Sequence, residues 1–118
     1  MKIYDCFMYY DEDLILDLRL NILDKHVDKF VIVESSYTHS GKPRKLLFNI
    51  NKFKNFKSKI IYIVLNKKPL KLELIKEEDN AHKKNSKYIL NAVKRENLQR
   101  NEIYKGLDSA LPNDLIII

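Results

Sequence analysis

The chain has 118 residues, 45% hydrophobic and 32% charged, with a formal net charge of +6. These values describe one globular domain and exclude a disordered or low-complexity chain. No apolar run approaches the roughly 18 residues of a membrane span, so no transmembrane segment is expected. Cys6 is the sole cysteine, which excludes an internal disulfide, and a reducing, cytoplasmic location is the expectation.

The charge is unevenly spread. Residues 1–40 hold four basic and eight acidic side chains, a net of −4; residues 41–105 hold eighteen and six, a net of +12. A basic middle attracts phosphates or an anionic membrane surface. Equally, it is a solvated lysine-rich surface. The aromatic residues fall mainly in apolar runs rather than among the lysines, unlike a platform that stacks single-stranded bases, so no nucleic-acid partner is expected.

In chain order, residues 2–9 are apolar and aromatic and predict a buried strand. Asp11, Glu12 and Asp13 offer a helix start, and Leu14, Leu18 and Ile22, with Ile15 and Leu23, recur at helical spacing to about Asp24. Phe30-Val31-Ile32-Val33 is a continuous apolar run of the kind found in buried parallel strands. The loop from Glu34 to Pro43 ends in the turn signal Ser40-Gly41-Lys42-Pro43. A short helix is expected over 51–56 and a third strand over 60–64. Residues 66–87, rich in lysine and poorly periodic, read as a mobile surface excursion. A helix follows over 88–107, with Ile89, Val93 and Ile103 facing the core and Gly106 at its end. Leu111 to Asp114 is a turn, and 114–118 a fourth buried strand. The alternation predicts an α/β fold with a mainly parallel sheet flanked by helices.

Generic phosphate loops and metal-ligand spacings are absent; His26, His39 and His82 are isolated and read as surface residues. Two segments carry candidate chemistry. Val33 to Pro43 puts Glu34 and several hydroxyls at the C-terminal end of a buried strand, where open α/β sheets bind ligands. There Glu34 either accepts hydrogen bonds from a base or ribose, or caps its own loop. In Arg95 to Asn101, Arg95 and Gln99 share one helical stripe, and Glu96 and Arg100 the next. Such a face either recognises a sugar or diphosphate or is plain solvated surface.

Taken in order, these segments resemble glycosyltransferase family 17, which includes the β-1,4-mannosyl-glycoprotein N-acetylglucosaminyltransferases. The resemblance runs through Lys2–Tyr10, Asp13–Asn21, Val31–Ser35, Thr38–Pro43, Arg95–Leu107 and Asp114–Ile118. It implies a GT-A-like, Rossmann-like fold and transfer of a sugar from a UDP-sugar donor to a glycan acceptor hydroxyl. It also implies donor-binding roles for Glu34, Arg95, Gln99 and Arg100. Glu34 and the Arg95/Gln99 stripe are expected to converge on one cleft at the C-terminal edge of the sheet. In that family the last strand leads into an Asp-x-Asp-type motif that holds manganese or magnesium. Here nothing follows Ile118. The chain is therefore expected to be an N-terminal nucleotide-sugar-binding portion that binds no metal itself and is inactive without a complementary C-terminal piece. Two other functions stay open: a non-catalytic nucleotide- or carbohydrate-binding remnant, and a small basic nucleic-acid-binding protein.

Overall fold

A computed structural model describes all of residues 1–118. Four strands, β1 (Ile3–Tyr9), β2 (Lys29–Ser35), β3 (Ile60–Leu65) and β4 (Leu115–Ile117), form one sheet in the order β3-β2-β1-β4. Every pairing is parallel, with Cys6 opposite Val31, Val31 opposite Ile61, and Tyr4 opposite Ile116. The expected α/β class and the strand positions hold. Two α-helices, α1 (Asp13–Leu23) and α2 (Ala81–Asn101), and two 3₁₀ segments, Ile50–Phe56 and Glu102–Leu107, complete the fold. No helix is long and apolar enough to cross a membrane.

Right-handed crossovers decide which face each helix covers. The chain steps outward from β1 to β2 to β3, so α1 and the first 3₁₀ segment share one face. It then reverses past β1 to β4, which sends α2 and the second 3₁₀ segment to the other. Because side chains alternate along a strand, β2 serves both faces. Phe30 and Ile32 join Tyr9, Leu16, Leu20, Val27, Phe53 and Phe56 on the α1 face. Val31 and Val33 join Tyr4, Cys6 and Ile103 on the other. Cys6 is fully buried, and its thiol pKa is pushed up to about 11, chiefly by burial and then by the neighbouring Asp5 carboxylate. Asp5 is itself buried and held by a two-pronged ion pair from Arg19 of α1, at 2.6 and 2.7 Å.

Four local expectations are corrected. On α1 the buried stripe is Leu16 and Leu20, and Leu14, Ile15, Leu18 and Ile22 point outward. The helix carries two apolar stripes, and the tether to β1 through Arg19 decides which one faces in. On α2, Ile89 and Val93 are exposed, whereas Ile103, in the second 3₁₀ segment, is buried as expected. That helix begins at Ala81, not 88, with the Asn80 side chain accepting from the Lys83 N–H at 2.7 Å. Finally, β4 is an edge strand whose Leu115 and Ile117 are half exposed, since no helix covers the α1 face there.

Residues 66–80 form a strap along α2, tied down chiefly by polar contacts. The Asn91 side-chain amide both accepts from the Glu73 N–H (2.7 Å) and donates to its carbonyl (2.9 Å). Lys94 donates to the Lys71 carbonyl, and Lys87 to the Leu74 carbonyl and the Asp79 carboxylate. The excursion read from sequence is thus a fastened strap followed by the first turns of α2. Gly106 lies inside the second 3₁₀ segment rather than at a helix end. A Cβ there would sit 2.5 Å from a Val31 methyl carbon, so only glycine lets this backbone lie flat on β2.

Candidate functional site

A cleft of about 490 Å³ opens at the C-terminal ends of β1 and β2. This is the edge at which open α/β sheets bind ligands. Met8, Tyr9 and Tyr10 line it from β1 and its end, Glu12 from the start of α1, and Ser35 from β2. The loop after β2 adds Tyr37, Thr38, His39, Ser40 and Arg44, and α2 adds Gln99. Its lining is dominated by phenols, hydroxyls, an imidazole and an amide.

The loop from Tyr37 to Pro43 is a small hairpin closed by an antiparallel bridge between those two residues. Thr38 holds it together: its N–H donates to the Lys42 carbonyl (2.8 Å), and its carbonyl accepts from the Gly41 N–H (2.9 Å). Gly41 adopts φ +91°, the left-handed region that favours glycine. Arg95 of α2 lies directly against it, with Nη2 2.5 Å from where a Cβ would stand, and Nη1 donates to the His39 carbonyl at 3.1 Å.

Arg44 locks this loop to the sheet. It donates to the Glu34 carboxylate (3.0 Å), the Ser35 carbonyl (2.6 Å) and the Tyr10 carbonyl, and its guanidinium lies 4.5 Å from the centre of the Tyr10 ring. Glu34 is fully buried. Its two oxygens also accept from the N–H groups of Leu47 (2.7 Å) and Phe48 (3.1 Å) and from the Tyr62 hydroxyl (2.6 Å). Burial, and then this bond to Glu34, raise the Tyr62 pKa. Nearby, the Tyr9 hydroxyl donates to Asp13. Burial first and then that bond raise the Tyr9 pKa, and the same bond lowers that of Asp13.

The three residues expected to converge, Glu34, Arg95 and Gln99, do not. Glu34 shares the α1 face with Phe30 and Ile32, and its oxygens are spent on the loop, so it is an internal anchor and not a wall of the cleft. Gln99 is buried and lines the cleft. Arg95 stands behind the loop and borders a smaller hollow shared with Lys67 and Lys68. Arg100 is exposed and paired with Glu96 at 2.9 Å, one helical turn away. Sequence reasoning missed Arg44; His39, read as a surface residue, is exposed and also lines the cleft. The signal for Arg44 was present: a carboxylate in a strand as apolar as β2 needs a cation, and Arg44 is an arginine in the loop that follows.

No group of three or more His, Cys, Asp or Glu side chains is placed to hold a metal ion. Glu12 is the sole carboxylate lining the cleft. Its oxygens accept from the N–H groups of Tyr10 (3.1 Å) and Asp11 (2.9 Å).

A parallel α/β sheet with a polar cleft at its carboxyl edge is the arrangement in which open α/β folds bind ligands. The model of glycosyltransferase family 17 matches residues 1–109, and the chain belongs to that family. No curated protein and no solved structure matches it.

Proposed function

We propose that the cleft binds the nucleotide part of a UDP-sugar donor, of the UDP-N-acetylglucosamine type, in a GT-A-like domain. The carrying observation is the chemistry of the cleft wall: three tyrosines beside neutral donors and acceptors, at the C-terminal edge of β1 and β2. Aromatic rings supply stacking surface for a base. Hydroxyl, amide and imidazole groups match the hydroxyls of ribose and sugar. Family membership supports sugar transfer as the reaction of the complete enzyme, to a hydroxyl of a glycan acceptor. Gln99 keeps its donor-side role in this reading, and Arg95 acts by holding the loop.

Transfer needs groups that this cleft does not assemble. A departing nucleoside diphosphate calls for concentrated positive charge, and the acceptor hydroxyl calls for a base. Arg44 is engaged with Glu34 and backbone carbonyls, and Glu12 with backbone N–H groups. We therefore infer that the chain binds donor but needs a complementary piece, with its carboxylates for manganese or magnesium, to turn over.

Calorimetric titration with UDP, UDP-N-acetylglucosamine and ADP tests the binding. Saturable binding of the uridine compounds with ADP weaker is the expected result, and no binding of any nucleotide defeats the reading. A radiolabelled UDP-sugar assay with manganese, run on this chain, tests the second part. No transfer is expected, and steady turnover would refute the need for a complementary piece. Salt-dependent binding of random oligonucleotides, with no response to UDP, would favour the nucleic-acid alternative.

A further inference from the structure

His39 is tied to the sheet by a chain of two hydrogen bonds whose direction is fixed by chemistry. Gln99, buried on α2, reaches the Val33 main-chain carbonyl at 3.1 Å. A carbonyl only accepts, so the amide nitrogen of Gln99 must face it. The amide oxygen is then the atom that meets His39 Nε2, also at 3.1 Å. That oxygen only accepts, so Nε2 must carry the hydrogen. In the neutral ring Nδ1 is left as a bare lone pair, and no group in the chain bonds to it. His39 lines the cleft, and its main chain is clamped by Arg95.

The geometry points to His39 Nδ1 as a specificity-determining acceptor that takes a hydrogen bond from a ligand N–H or O–H. This rests on the reading of the cleft as a uridine-nucleotide site. Two ligand groups carry that chemistry, the imide N–H of the base and the hydroxyls of the ribose.

The test is UDP affinity by calorimetry for the wild-type chain, His39→Ala and His39→Asn at pH 8. His39→Ala should bind about 3- to 10-fold more weakly at pH 8, the worth of one hydrogen bond. His39→Asn sets an amide oxygen near the place of Nδ1 and should recover most of that loss. N3-methyluridine diphosphate and 2′,3′-dideoxyuridine diphosphate separate the two sources: the analogue that erases the wild-type advantage over His39→Ala names the donor. Nitrogen-15 spectra of the imidazole should show the Nε2–H form, with the Nδ1 signal moving on addition of UDP. Equal UDP binding by wild type and His39→Ala, a Nδ1–H ring, or an advantage undiminished with both analogues overturns the assignment and leaves the cleft reading standing. Absence of UDP binding by the wild-type chain overturns both.

Discussion

On the α1 face eight buried side chains, four of them aromatic, pack into one cluster around Phe30 and Ile32. Along α2 and its strap the contacts are of another kind. The helix's own buried residues are Asn91 and Gln99, and in the strap the buried residue is Asp79. One region is held by area removed from water, the other by side-chain hydrogen bonds to main chain. Apolar burial is shared among many neighbours, so its loss is felt throughout the sheet. A strap fastened by a handful of polar contacts opens locally, each fastening exchanged for water at small net cost.

The sharpest way to break that contrast is Glu34→Ala. Glu34 is the polar exception on the apolar face, and its loss strands Arg44, the Tyr62 hydroxyl and two main-chain N–H groups. Removing one member of a buried charged pair costs about 3–5 kcal/mol, and urea unfolding should show it as a global loss of stability. Gly106→Ala comes next. It drives a methyl into Val31, an overpacking cost of about 1–3 kcal/mol, also global and readable as a lower thermal midpoint.

Asn91→Ala should behave differently. It removes two hydrogen bonds, each worth about 0.5–1.5 kcal/mol. Hydrogen exchange at the Glu73 amide should speed up while amides of β2 keep their protection. Acid should open the same strap. The Asp79 pKa is lowered from 3.8 to about 2, first by its bond with Lys87 and then by the Lys76 N–H. A carboxylate with a depressed folded-state pKa stabilises fully above its unfolded value and loses that contribution as pH falls through the folded one. Protection of the strap amides, taken relative to the intrinsic exchange rate at each pH, should therefore fall between about pH 4 and pH 2. The smallest effect belongs to Arg100→Ala, which breaks an exposed pair with Glu96 worth about 0.3–0.5 kcal/mol and should leave UDP affinity unchanged. A clear loss of affinity would return Arg100 to the binding site.

The strands were legible because β2 and its neighbours are continuous apolar runs, which have few alternatives at that length. The face of α1 was not, because Leu14–Leu18–Ile22 and Leu16–Leu20–Leu23 are both apolar stripes and periodicity cannot choose between them. The separation of Glu34 from Gln99 was legible and overlooked. Glu34 is an even number of residues from Phe30, so both point to one face, and handedness sends α2 to the other. The strap was not legible, since its order depends on Asn91 meeting Glu73 across eighteen residues, a pairing that no local pattern encodes.

The buried thiol of Cys6 has a practical consequence. It lies in a central strand, with no exposed surface and a pKa near 11, and it is the chain's sole cysteine. Reagents that modify sulfur attack the thiolate and need access to it, so the folded molecule is silent to them. The rate at which a maleimide or disulfide dye labels this protein then measures how often the whole sheet comes apart. The sequence thus carries a built-in clock for global opening, one that events confined to the strap would not advance.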